Sequence, residues 1–340
     1  MSDGTAQREE AVVASPPIDW LPILLTVAVA VIALPLIGSV STWVTLTVAA
    51  LAMGMIIFIM ASGLTLVFGL MDVINFGHGV FISVGAYMSL LVLRPLMGWV
   101  DSPSLMLNIG VLILCIFVAM AASGLFGLLF ERVIIRPVYR QHLKQILVTM
   151  GGLIVIEQLL HVFFGGSPIT IALPYNFRGG LSIGPDTIVE RYRLIAVVIG
   201  VAVFVAMMLV LNRTRIGLLV RAGVENPEMV EALGYRIRRI FVGVFVAGSA
   251  LAGLGGVMWG FYQQTLTIGM GLQVLVLIFI VVIIGGLGSI GGCLIGSMLV
   301  ALVANYTAFL EPKIALVSNI ALMLVVLMWR PQGLYPVVKV

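Results

Sequence analysis

The amino-acid sequence predicts an all-α fold, a polytopic transmembrane helical bundle with about ten membrane passes. Composition is the first ground. Of the 340 residues, 61% are hydrophobic and only 9% are charged, whereas soluble domains carry about a quarter charged residues. So little charge cannot cover a water-facing surface of this size. Span length is the second ground: apolar segments recur near the length of about 20 residues that crosses a hydrocarbon core of about 30 Å. The third is the stretch from Ile240 to Leu310, which contains no Asp, Glu, Lys, Arg or His. As one helix it would be about 106 Å long, more than three bilayer cores. It must fold back on itself, and its glycine clusters mark the expected turns.

Residues 1–19 form a polar, acidic tail without the basic region of a cleaved signal peptide, so the first span is expected to direct insertion. Spans follow at 20–38, 45–70, 74–93, 106–130, 146–164, 194–211, 240–263, 272–288, 291–309 and 314–329. They make a transmembrane domain over 20–330, with 331–340 as a short cytoplasmic tail. The loop 131–145 carries Arg132, Arg136, Arg140 and Lys144 against Glu131, and the loop 212–239 carries Arg213, Arg215, Arg221, Arg236, Arg238 and Arg239. The tail adds Arg330 and Lys339. The excess of Lys and Arg places all three in the cytoplasm, and the number of spans between them agrees. The segment 165–193, with Pro168, Pro174 and Pro185, is expected outside as an ordered loop.

Ten passes divide into five and five. A duplicated odd-numbered unit gives an inverted repeat, a common transporter architecture. The glycine-rich breaks at 77–85 and 285–296 are the visible candidates for matching features, but they fall at different places in the two halves.

Several chemistries are excluded. The net charge of +4 comes with no basic stretch interleaved with aromatics, so no nucleic-acid partner is expected. Cys115 and Cys293 lie inside apolar stretches and the three histidines are scattered, so neither a disulfide nor a metal site is expected. No P-loop, H-E-x-x-H or G-x-S-x-G pattern occurs. No catalytic residue and no cofactor is therefore assigned.

The polar residues that remain are informative by position. Asp72, Asn75 and His78 fall where one apolar span gives way to the next, with Phe76 and Gly79 among them. Non-helical backbone at membrane depth is tolerated only inside protein or beside a cavity, and polar groups there are candidates for a translocation pathway. The structural alternative is that Asn75 and His78 satisfy freed backbone groups. Glu157 and His161, four apart, share a helix face. They suit either a proton relay or an internal Glu–His hydrogen bond. The glycines between Gly285 and Gly296, and the Gly248–Gly256 spacing, suit close helix packing, a pore lining or a dimer seam. Tyr262, Gln263 and Gln264 end a span on the outer side, as an interfacial anchor or a contact for a delivery protein.

In the 212–239 loop, Asn226 is a good N-cap and Pro227 suits the first helical position. Glu228 and Glu231 lie near the positive end of the helix dipole, and Gly234 is a C-terminal stop. These signals predict a short helix over 227–233 with Met229 and Leu233 on one face. It either docks in a partner's groove or packs on the membrane surface.

Here the sequence resembles a known family. Glu231-Ala232-x-Gly234, following Arg221 and Asn226-Pro227-Glu228, is similar to the cytoplasmic loop of branched-chain amino acid ABC-importer permeases. Residues Gly63 to Gly79 (GLTLVFGLMDVINFGHG), Gly285 to Gly292 (GGLGSIGG) and Trp329 to Leu334 (WRPQGL) also match that family's pattern. The resemblance implies that Glu225, Asn226, Pro227, Glu228, Met229, Glu231, Ala232, Leu233 and Gly234 form a coupling segment on an ATPase. It implies two ABC ATPase subunits, a second, homologous but different permease subunit, an extracytoplasmic solute-binding protein and a bacterial inner-membrane location. The expected cargo is a branched-chain or related neutral amino acid. The alternatives are a proton-coupled carrier using Glu157 and His161, or a passive channel for a small solute such as urea or an amide. Neither of these needs the cytoplasmic helix.

Overall fold

The computed structural model describes residues 19–335 except 72, 74, 140, 185, 186 and 226. Asp72 and Asn226, both expected at functional sites, lie outside the described residues. Ten apolar helices correspond to the ten expected spans: α1 (Leu21–Ile37), α2 (Val40–Met71), α3 (His78–Leu93), α5 (Leu105–Phe130), α6 (His142–Phe164), α7 (Arg191–Arg213), α10 (Ile237–Gln263), α11 (Met270–Gly285), α12 (Ile290–Leu310) and α13 (Ala315–Trp329). Three short helices lie between them: α4 (Met97–Val100), α8 (Arg215–Glu225) and α9 (Pro227–Ala232). Six helices are long and apolar enough to cross a membrane alone: α2, α6, α7, α10, α12, and α5 with its continuation to Val138. The other four have 15 to 17 residues, which reach only about 23–26 Å. For α3 and α11 the remaining depth is covered by non-helical chain. That is why the span expected from residue 74 starts at His78, and the one expected to reach 288 stops at Gly285.

The long helix α10 is the centre of the bundle and packs on α2, α3 and α5, while α2 also packs on α12 and α7. Small residues set these distances. A Cβ added at Gly63 of α2 would lie 2.4 Å from the carbonyl oxygen of Gly248 in α10, and one added at Gly85 of α3 would lie 2.4 Å from the Cα of Gly253. Backbones therefore touch backbones, as small-residue interfaces in membranes allow. The turn between α11 and α12 closes in the same way, with Gly285 against Gly292. The glycines of 285–296 thus form a helical hairpin rather than a break within a helix. By contrast α6 and α7 sit at the edge: 17% of the most apolar window of each is buried, against 56% for α2 and α10. Their outer faces are dressed for lipid or for another membrane protein.

The segment 165–193 is ordered, as expected. It forms a hairpin of β2 (Gly180–Gly184) and β3 (Thr187–Glu190), and its β1 (Ile169–Thr170) pairs antiparallel with β4 (Thr265–Leu266), just after α10. Arg178 pairs with Asp101 at 2.6 Å, and the buried Tyr192 hydroxyl donates to the Met258 carbonyl of α10 at 2.8 Å.

At the other end, which carries the arginine-rich loops, the two chain ends meet. Arg330 Nη1 lies 2.5 Å from Asp19 Oδ2, and the Tyr335 hydroxyl donates to the Asp19 carbonyl. Residues 331–335 are docked: Leu334 is buried, and the amides of Leu334 and Tyr335 donate to Ile284 and Gly285 at 2.8 and 3.0 Å. The start of α1 and the residues just after α13 therefore lie together on one face of the bundle.

The Arg330 side chain, and then the Leu21 amide, hold the Asp19 carboxyl below its usual range. A depressed pKa means the contact is present above the ordinary carboxylate range, near about 4, and is lost as pH falls through the lowered value. Hydrogen-exchange protection of residues 331–335 is expected to fall on acidification. In Asp19→Asn it should be low at every pH. Equal protection in both proteins would show that the tail is held by Leu334 alone.

Candidate functional site

The chain between α2 and α3 returns into the bundle. His78, the first residue of α3, places Nε2 3.0 Å from the carbonyl of Met60, and its ring lies against Gly63. Met60 is eleven residues before the end of α2, so about 16 Å of helix is retraced. The second half repeats this. After α10 ends at Gln263, Gln264 takes a left-handed conformation at φ +53°, β4 pairs with β1, and α11 starts at Met270. A Cβ at Gly271 would lie 2.3 Å from the Gly79 carbonyl oxygen, and one at Gly79 would lie 2.6 Å from the Gly271 carbonyl oxygen. The first turns of α3 and α11 are therefore in backbone contact inside the bundle. As the third and eighth long apolar helices, they run in opposite directions through it.

The order of long helix, non-helical segment and short helix thus occurs once in each half, an order that an inverted repeat would give. The glycine-rich stretches at 77–85 and 285–296 do not occupy matching places in this order, as their positions in the sequence already indicated. The segment between α10 and α11, 264–269, falls in the gap expected between the spans 240–263 and 272–288, and it holds a single glycine, Gly269. Its Thr265 and Leu266 pair with β1.

Each expected pathway residue except Asp72, which lies outside the described residues, has a defined place. Asn75 is buried, and its Oδ1 accepts from the Gly77 amide at 2.9 Å, an Asx turn that starts α3. The amide of Phe76 donates to Thr149 Oγ1 of α6 at 3.2 Å, and its ring packs on Phe279 of α11 with centroids 4.8 Å apart. His78 is fully buried, and its ring meets Phe81 edge-on at 6.1 Å. Asn75 and His78 thus satisfy backbone groups, as the structural alternative expected.

Polar atoms without a protein partner concentrate here. They include Asn75 Nδ2, His78 Nδ1, Ser83 Oγ and both polar atoms of Gln145. Ser83 faces Gly271 across the α3–α11 contact, and Gln145 lies one turn before Thr149 on α6. An unpaired buried polar group costs about 1–3 kcal/mol, so such a group in a packed interior calls for a functional reason. Thr149, Gln145, Ser83 and Gly271 escaped sequence reasoning. Each is an ordinary residue within an apolar helix, and only tertiary packing brings it to the junction.

Glu157 and His161 do not form the expected pair. No hydrogen bond or ion pair joins them; Glu157 Oε1 has no protein partner, and the His161 ring packs against Gly166. Glu157 is half-exposed at the bundle edge and far along α6 from the Thr149 contact with the re-entrant segment.

At the arginine-rich end, α8 and α9 form a helical corner. The helix α8 was not expected. Its buried Gly217, Val220 and Gly223 fall at three-residue spacing, and it packs on α7 and α10. Two glycines in that stripe hid its periodicity. The helix α9 begins at Pro227 as expected and ends at Ala232, one residue early. Gly234 adopts φ +87°, its amide donates to Glu231 at 2.9 Å and the Tyr235 amide to Val230 at 3.2 Å. This is the Schellman stop. Val230 is buried beneath the helix, while Glu228, Met229, Glu231, Ala232 and Leu233 are exposed. Met229 and Leu233 are 61% and 71% exposed, and Tyr235 adds 48%. The apolar face of this corner is turned away from its own bundle.

Among known proteins, residues 46–328 match the family model described as the permease component of branched-chain amino acid transport systems. The high-affinity branched-chain amino acid transport system permease protein LivH of Escherichia coli K12 is 29% identical over 283 residues, 81% of this chain and 90% of its own length. BraD of Pseudomonas aeruginosa, described in the same terms, is 28% identical over 84% of this chain and 92% of its own. A probable branched-chain amino acid transport permease of Methanocaldococcus jannaschii is 26% identical over 73% and 75%. No solved structure matches the chain.

Replacing Gly79 with Ala tests the junction. The added methyl meets the Gly271 backbone, which has no flexible side chain to yield, so the bundle is expected to lose about 1–3 kcal/mol. The thermal midpoint in detergent should fall by several degrees. Gly151→Ala on α6 meets open space and should leave it unchanged.

Proposed function

The chain belongs to the family of permease components of branched-chain amino acid transport systems, and from this we propose that it forms one transmembrane half of an ATP-driven importer for a branched-chain or related neutral amino acid. The observation that carries the reading is the meeting of two opposed short helices inside the bundle, in a chain matching that family over residues 46–328. Half-helices that start within the membrane direct their amide ends at the middle of the bilayer, where carriers of this architecture bind substrate. Asn75, Phe76, His78 and Gly79 border that point, and Asp72 precedes them in sequence. In this reading the unpaired atoms of Asn75, His78, Ser83 and Gln145 gain partners when the junction rearranges between outward- and inward-open states. The α3–α11 contact is the element whose opening exposes them.

The energy comes from a separate subunit, since the chain has no phosphate-binding loop. Residues 225–234 are the coupling segment. Met229 and Leu233 enter a groove of one of two ATPases, and the Schellman stop at Gly234 fixes the angle at which α9 stands. The exposed faces of α6 and α7 border the second permease half and lipid. A solute-binding protein delivers the amino acid to the opposite end, where β1 pairs with β4 and the 180–190 hairpin projects. The complex sits in the inner membrane. Glu157, whose own Oε1 has no protein partner, is kept as the pathway candidate of α6 although it lies at the bundle edge. The missing Glu157–His161 bond weighs against a proton relay.

Reconstitution of the chain with its ATPases and second permease subunit in liposomes tests this directly. Leucine, isoleucine or valine uptake should require ATP and the binding protein. Uptake driven by a proton gradient without ATP would overturn the proposal. The paired change Met229→Asp with Leu233→Asp should reduce ATPase co-purification more than tenfold, since each side chain contributes about 1.5–3 kcal/mol when fully buried. Glu231→Arg should uncouple hydrolysis from uptake. Neither change alters the apolar spans, so membrane insertion should persist.

A further inference from the structure

A cleft at the arginine-rich end has no part in the transport reading. It has a volume of about 280 Å³ and is lined by Glu131, Arg132 and Arg136 from the turn that follows α5, and by Arg238, Arg239 and Val242 from the start of α10. Four guanidinium groups face one carboxylate, which leaves the cleft three positive charges in excess. Among the described residues, none of the four arginine side chains has a hydrogen bond or ion pair with the protein.

The cytoplasmic excess of arginine needs no site to explain it. Convergence does. The two pairs of arginines come from segments about a hundred residues apart in the chain, and the turn after α5 is wound to bring its pair round. Residues Glu131–Ile135 form a π-helical turn and Arg136–Val138 a 3-10 turn. Such departures from α-helix mark functional positions. Planar guanidinium forks match the oxygens of a phosphate group.

The surroundings narrow the ligand further. Val242 gives the cleft an apolar wall. Leu125, Leu129 and Val133, at four-residue spacing, form an exposed apolar stripe along α5 that ends beside it, with exposures of 63%, 52% and 70%. A free anion has no use for that stripe. A molecule with an anionic phosphate at one end and hydrocarbon along the next dozen ångströms matches both parts.

We propose that this cleft binds the phosphate headgroup of an anionic phospholipid, with the acyl chains lying along the outer face of α5. Basic pockets between helices at the cytoplasmic surface are suited to such headgroups. The site is independent of the transported substrate and needs only the placement of the arginine-rich end at the cytoplasmic interface. It also ties the start of α10, the central helix, to the lipid surface.

Native mass spectrometry of the full chain, presented with equal amounts of phosphatidylglycerol and phosphatidylcholine, reads the preference directly. The wild-type protein should retain phosphatidylglycerol in excess. Arg238→Gln with Arg239→Gln should reduce that excess about tenfold or more, at about 1 kcal/mol per cationic side chain. An unchanged preference would overturn the proposal. So would displacement of the lipid by inorganic phosphate at equal concentration, which would make this a free-anion site. Loss of ATPase co-purification with the lipid preference intact would assign the cleft to a protein partner and equally overturn it. A photoactivatable phosphatidylglycerol added to the unaltered protein removes any dependence on the variant's folding. Its cross-links should map to residues 125–136 and 237–242, and cross-links confined elsewhere would refute the site.

Discussion

The approach of α10 to its neighbours is the constraint on which the rest of the bundle depends. At Gly63–Gly248 and Gly85–Gly253 one backbone lies directly on another, with no room for a side chain on either. Within a bilayer no hydrophobic effect drives helices together, since lipid is as apolar as they are. Stability comes instead from dense contact, and dense contact needs small residues where helices cross. Because α10 is seized on three sides by α2, α3 and α5, the segments that follow α2 and α10 must find their places against a fixed frame.

That frame makes the re-entrant segments possible. Non-helical backbone is costly in a membrane unless protein surrounds it. At the start of α3, alongside α2, the Asn75 side chain caps Gly77, Thr149 accepts from Phe76 and Met60 accepts from His78. In the second half, strand pairing with β1 meets the same need. The two halves reach one geometry by different chemistry, a polar side-chain cluster in one and a two-residue β-bridge in the other. This is why the shared order is plain in space and nearly invisible in composition. It is also why unpaired polar atoms gather at the junction: a segment held by a few specific bonds is one that can exchange them.

The two ends of the bundle serve different needs. One is closed by the ordered 165–193 loop, which clamps the end of α10 and the start of α11. The other gathers the contact of Asp19 with Arg330 and Tyr335, the α8–α9 corner and the arginine cleft. The corner turns Met229 and Leu233 outward, while Val230 between them is buried. In the proposed reading this exposed apolar patch is the surface that meets the ATPase.

The sequence by itself determined the membrane character and all ten apolar helices. Hydrophobic length is a property of segments, and no tertiary contact is needed to read it. It also determined α9 to within one residue, because Pro227 and Gly234 act locally, and it marked Asn75 to Gly79 as the place where the chain breaks in the first half. Tertiary structure alone decided the pairing of 265–266 with β1, the absence of a Glu157–His161 bond, the docking of 331–335 beneath α11, and the recruitment of Ser83, Thr149, Gln145 and Gly271. These depend on which helices touch. In lipid, contact is governed by shape and by scattered single hydrogen bonds, and neither leaves a periodic trace along the chain.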